Sequence, residues 1–159
     1  MRRLLAVLVL VIAGLTTATV AGAATSTTFV AVLSPVAGCP TSGRGVAIVT
    51  VTEEGTLEYR LIVANLENVT AAHIHRGSVA SGPSTAGAVA FLYETTTPVD
   101  VHDKVVLASG AITATVEPDL TVEELAAELL GGTSFYVNVH TTECPSGALA
   151  GDLLLQSTT

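Results

Sequence analysis

Apolar and polar positions alternate along most of this chain in short runs, each closed by a cluster of Gly, Pro, Ser, Asn or Asp. The clearest run is Thr56 to Ala64, where Leu57, Tyr59, Leu61 and Val63 share one face by the two-residue period of a strand. Glu53, Glu54 and Gly55 form a turn before it, and Val46, Ile48 and Val51 supply the preceding strand, so a hairpin is predicted. Phe29 to Leu33 reads as a first strand, closed by a turn region containing Pro35, Gly38, Pro40 and Gly43. Val69 to His75 predicts another strand, followed by a flexible loop over Gly77 to Gly87 and a strand from Ala88 to Tyr93. After a polar connection, Lys104 to Thr115 predicts a strand or strand pair broken near Gly110 and ended by Pro118 and Asp119.

The period changes once. Thr121 followed by Glu124 is a capping box, Val122, Leu125, Leu129 and Leu130 form an apolar helical face, and Gly131 stops it. Phe135 to His140 and Ala148 to Leu155 return to strand, turned by Pro145 and Gly147. Many short strands with a single brief helix predict an all-β fold: an antiparallel immunoglobulin-like sandwich or Greek-key barrel with one short helix.

The N-terminus has a different character. Arg2 and Arg3 precede the apolar run Leu4 to Leu15, and small residues surround Ala23, the form of a secretory signal peptide. Gly14 and the threonines at 16, 17 and 19 interrupt the run before about 20 strongly apolar residues accumulate, which argues against a membrane anchor. The expected division is a signal peptide over 1–23 and a single β domain over 24–159, secreted or held in the cell envelope or periplasm, with no stable membrane insertion after cleavage. Asn68-Val69-Thr70 is a formal glycosylation sequon, with meaning only in a eukaryotic secretory pathway.

The whole chain carries a net charge of −8. Without Arg2 and Arg3, four basic residues face fourteen acidic ones, a net charge of −10. The remaining cations, Arg44, Arg60, Arg76 and Lys104, are scattered, which speaks against nucleic acid or an anionic membrane as partner. The two cysteines, Cys39 and Cys144, invite one disulfide in an exported protein. A lipoprotein signal ending at Cys39 is the competing reading; Pro35 and the distance from the apolar run argue against it.

Two segments carry a resemblance beyond composition: Ala72-His73-Ile74-His75 followed by a Gly/Ser/Pro loop, and Phe135-Tyr136-Val137-Asn138-Val139-His140-Thr141 followed by Pro145-Ser146-Gly147. In order and spacing they resemble the CHRD (chordin-type) family. The resemblance implies an extracellular all-β domain of immunoglobulin-like or barrel form, and no settled reaction. Its closing segment departs from the family's usual pattern, since Gly147-Ala148-Leu149-Ala150-Gly151-Asp152 lacks the usual Glu and Arg. The family's acidic, double-proline segment after the first strand is likewise replaced by Val36-Ala37-Gly38-Cys39-Pro40, and a Cys39–Cys144 disulfide near the two diverged segments is expected to take over the tie that polar groups make in relatives.

The chemistry concentrates in histidine. His73 and His75 are two apart on one strand and share a face, and His140 shares a face with Tyr136 and Asn138 on another. If those strands are neighbours, three imidazoles converge as copper or zinc sites require, with His102 a candidate fourth ligand. The competing expectation is a hydrogen-bonded polar cluster of the same histidines with Asn138, fixing strand ends. A hydrolase is disfavoured, because Ser78, Ser81 and Ser84 sit in no G-x-S-x-G turn. The function expected is an exported CHRD-like binding or structural module acting on a protein or glycan, the alternative being an extracellular copper or zinc protein.

Overall fold

The computed structural model describes residues 25–81 and 87–156; the signal peptide expected over 1–23 and part of the Gly77–Gly87 loop lie outside them. In the described residues nine strands run in chain order: β1 (Thr27–Pro35), β2 (Arg44–Val51), β3 (Leu57–Ala64), β4 (Leu66–Arg76), β5 (Ala88–Val101), β6 (Val105–Ile112), β7 (Phe135–Thr141), β8 (Leu149–Asp152) and β9 (Leu154–Leu155). The helix α1 (Val122–Leu130) lies between β6 and β7, and a single 3-10 turn spans Val79–Ser81.

All the pairings are antiparallel, and the strands form one path, β5-β4-β7-β8-β1-β2-β3-β6, with β9 paired to β1. The sheet curls into a nearly closed, barrel-like form. Its two ends approach each other: the Tyr59 hydroxyl on β3 donates to the Leu92 carbonyl on β5 at 2.5 Å.

Alternation decides what fills the interior. Leu57, Leu61 and Val63 of β3 point inward with Ala31, Leu33, Val49, Ile74, Val137 and Val139, all essentially without exposure. The expected inward face of the hairpin is therefore present, with Tyr59 only half-buried at the barrel's opening. The capping box forms as read, Thr121 and Glu124 satisfying each other's backbone amides, and Leu125 and Leu129 anchor α1 to the core. Arg76 at the end of β4 binds Glu117 and Glu128 and lies 5.4 Å over the Phe135 ring, tying the helix to β4 and β7.

Three boundaries differ from the pattern reading. β5 continues through Glu94–Val101, where the sequence pattern predicts a polar connection, because its partner β4 begins as early as Leu66 and satisfies its backbone. β6 runs through Gly110 unbroken, since that residue stays in register opposite Tyr59. The last strand divides into β8 and β9 around Leu153, whose amide turns to the Phe135 carbonyl.

Candidate metal centre

His73 and His75 project from the outer face of β4, opposite to the inward Ala72 and Ile74. β7 is the direct neighbour of β4, and its register places His73 opposite Asn138, His75 opposite Tyr136 and Ala71 opposite His140. All six therefore share one face of the sheet. Ala71 is small, which leaves the His140 ring space to lean diagonally toward His73. One candidate ligand nitrogen from each of His73, His75 and His140 lies within 4.8 Å of the other two.

The face is outside the barrel yet largely covered. The loop after β7 folds back over it, and that loop orients the rings. His140 Nδ1 lies 3.0 Å from the Pro145 carbonyl, which can only accept, so Nδ1 carries the hydrogen and Nε2 is left with its lone pair. That lone pair accepts from His73 Nδ1 at 3.1 Å. His73 Nε2 is then unprotonated, and it is buried without a hydrogen-bond partner among the described residues. Asn138 is also held by the loop: Nδ2 donates to the Ser146 carbonyl at 3.1 Å, while Oδ1 is buried and unpartnered.

The electrostatics disfavour charge on His73 and His140. Burial, followed by the nearness of His140 and His75, pushes the His73 pKa down from 6.5 to about 4. Burial also lowers that of His140, against the opposing pull of the Pro145 carbonyl. Neutral imidazoles with free lone pairs are the form a metal ion binds. Two nitrogens held at about 2.0–2.1 Å from one tetrahedral ion stand roughly 3.3 Å apart. His73 Nδ1 and His140 Nε2 stand 3.1 Å apart, close to that span, with the hydrogen of His73 between them; an ion held by both would take that hydrogen's place and require the His73 hydrogen on Nε2 instead.

The same rings also form a hydrogen-bonded cluster beside Asn138, through His73–His140, His140–Pro145 and Asn138–Ser146, while among the described residues no Asp or Glu belongs to the group of three. The proposed fourth ligand is not brought in: His102 instead lines a groove of about 490 Å³ beside Asn65, Glu67, Glu143 and the cysteine pair. Of two aromatic neighbours, the pattern reading placed Tyr136 on the face of His140 and missed Phe91. Phe91 on β5 packs on His73 with centroids 4.6 Å apart, and Tyr136 stacks on His75 at 5.1 Å and 15°. The available signal for Phe91 was a large aromatic in the outward slot between buried Ala90 and Leu92.

The outer ends of the site are tied down by Cys39 and Cys144, at disulfide distance with Cα atoms 6.0 Å apart. Cys39 follows β1 and Cys144 belongs to the loop that carries Pro145.

The family description "CHRD domain" matches residues 14–153, nearly the whole chain. The chain belongs to the CHRD family. The histidines therefore sit within a CHRD domain, on strands that the match includes. No curated protein and no solved structure matches the chain. Among the described residues, no helix is long and apolar enough to cross a membrane.

Proposed function

We propose that this CHRD domain is an exported metal-binding module in which His73, His75 and His140 hold one copper or zinc ion. The observation that carries the reading is the Pro145 carbonyl on His140 Nδ1, an outer contact of the kind that fixes the tautomer and aim of a metal-binding imidazole. Imidazole nitrogen suits copper and zinc, and the absence of a carboxylate from the trio disfavours magnesium or calcium. Export through a signal peptide over 1–23, with 24–159 as the mature domain, agrees with the Cys39–Cys144 pairing, which suits an oxidising compartment. Of the two all-β forms expected, the barrel is favoured by the Tyr59–Leu92 bond across its opening.

The test is metal content. Residues from Ala24 onward, made in an oxidising compartment and dialysed against trace copper and zinc, should hold close to one ion per chain. The His73→Ala, His75→Ala, His140→Ala triple variant should hold none while keeping its β circular dichroism. A parent that stays metal-free sinks the reading.

A second reading, a binding module for a protein partner, is favoured by a different face. Val32, Val46, Ile62 and Val106 form one cross-strand row on the outside of β1, β2, β3 and β6. Val32 is 69% exposed, and Leu154, beside Val30 in the next row, is 67% exposed. Solvent-facing apolar rows of this kind mark interaction surfaces. Pull-down with wild type and a Val32→Lys, Leu154→Lys variant tests it: equal recovery of partners by both would exclude this face.

A further inference from the structure

We infer that the disulfide for which Cys39 and Cys144 are placed sets the metal affinity of the three-histidine centre, so that the site holds its ion tightly only while the two sulfurs are joined. The inference rests on the metal reading above and adds a regulation to it.

The link runs through a short series of contacts. His140 Nδ1 donates to the Pro145 carbonyl at 3.0 Å, and Pro145 is the residue next to Cys144. A proline ring holds φ at about −65°, so the few bonds between Cys144 and that carbonyl leave little freedom. Where Cys144 lies therefore fixes where the acceptor of His140 lies. The same turn carries Ser146, whose carbonyl accepts from Asn138 Nδ2 at 3.1 Å.

The hydrogen bonds of the turn act differently. Gly147 N–H to the Cys144 carbonyl and Cys144 N–H to Thr141 Oγ1 give the turn its shape. Thr142 N–H to the Asn68 carbonyl and Ala148 N–H to the Val139 carbonyl hold its two ends to β4 and β7. A further tie, Asn68 Nδ2 to Glu143 Oε1 at 2.9 Å, is exposed and weak beside a covalent bond. The body of the turn is joined through Cys144 to the loop of Cys39, and that loop is firmly seated. Cys39 N–H donates to the Val36 carbonyl, Val36 N–H donates to the Ala148 carbonyl, and Ser34 and Pro35 pair with β8. With the sulfurs joined, Pro145 is held from both sides; with them apart, its position over the histidines rests on the turn alone.

The bond is within reach of solvent. Cys39 and Cys144 line the groove of about 490 Å³ that holds His102, and also a second one of about 430 Å³ that Pro145 and Asn138 share. A small dithiol entering either groove attacks one sulfur. The S–S bond breaks, the two protein sulfurs take up the dithiol's two hydrogens, and the dithiol closes into its own disulfide. The released turn no longer aims the Pro145 carbonyl. The His140 ring then loses the contact that keeps its hydrogen on Nδ1 and its Nε2 toward His73.

The test compares the closed wild type with a Cys39→Ala, Cys144→Ala variant, which has no freed thiols to bind the ion. Affinity for zinc and for copper(II) is read by competition with a chromophoric chelator. The protonated nitrogen of His140 is read from its ring nitrogen shifts in the metal-free proteins. Sucrose, which favours the folded state whatever a loop does, is added to every sample. The expected result is an affinity about 10–100-fold lower in the variant, with the His140 hydrogen on Nδ1 in wild type and exchanging between both nitrogens in the variant. Val49→Ala, which weakens the core on β2 and leaves the bonds of the turn in place, should keep the wild-type affinity. Equal affinity in wild type and the double variant overturns the inference. An equal fall in Val49→Ala also overturns it, because the effect would then come from the stability of the whole sheet. So does a double variant that stays unfolded in sucrose, since the disulfide would then hold the domain and not the turn. A wild type that binds neither ion fails the metal reading itself, and the disulfide control falls with it.

Discussion

His73 Nδ1 and His140 Nε2 meet at 3.1 Å across the β4–β7 pair, although the two residues are 67 positions apart in the chain. The contact joins two groups that each resist protonation. Burial leaves a charge on either ring poorly solvated, and His140 further opposes charge on His73, so the pair prefers to be neutral.

That preference makes the metal-free protein acid-sensitive. His73 has a folded pKa of about 4 against 6.5 in the unfolded chain, so between those values the unfolded state binds more protons. The stability is fully present above pH 6.5, declines as pH falls toward 4, and changes no further from this group below that. Urea midpoints measured at pH 7.5, 5.5 and 4 should fall less steeply in His73→Leu than in wild type. Parallel lines would exclude His73 as a source of the acid sensitivity.

The cysteine pair closes a loop with a sequence separation of 105. Chain entropy for such a loop predicts about 4–5 kcal/mol of stabilisation. A Cys39→Ala, Cys144→Ala double variant should lose most of that in guanidinium unfolding. A loss under about 1 kcal/mol would mean that the two loops are held mainly by their hydrogen bonds, such as Cys144 N–H to Thr141 Oγ1.

Gly151 on β8 passes directly over the Val32 carbonyl of β1, and an added Cβ would overlap that backbone oxygen. Gly151→Ala should therefore cost about 1–3 kcal/mol by forcing the strands apart, the range found for overpacked interiors. Thermal unfolding that matches wild type would show that the β1–β8 contact yields at no cost.

Gly147 tests the loop over the candidate metal centre. It has φ +130, and a Cβ there would run into the Asn138 amide. Gly147→Val should displace the loop that carries Pro145, weakening copper or zinc binding by about 10-fold or more, in line with losses of outer contacts at metal sites. Competition against a chromophoric chelator reads the change; unaltered affinity in a folded variant would show that the loop does not orient His140.

Tyr59→Phe removes the hydrogen bond that joins β3 to β5 across the barrel's opening. The expected loss is about 0.5–1.5 kcal/mol. Hydrogen exchange should rise at the ends of β5 and β6 before the rest of the sheet. Uniform exchange rates would place the weakest seam elsewhere.

Local patterns determined much of this protein by themselves. The period-two runs located the strands, because burying one face of a sheet demands alternation whatever the topology. Thr121 and Glu124 announced the start of α1, since a capping box is made within four consecutive residues. His73 and His75 had to share a face because they are two apart on one strand. Only the tertiary structure decided the rest. Strand order is a matter of long-range pairing, and nothing local says that β4 lies beside β7, so the meeting of His73 with His140 was conditional until the register was known. The same holds for Glu94–Val101, whose polar residues became strand because β4 was there to bond them. His102 could be weighed as a ligand from its type alone, but its place in another groove follows from the turn between β5 and β6. The aim of His140 depends on a backbone carbonyl, that of Pro145, and a carbonyl is present at every residue; only the folded loop selects which one a side chain meets.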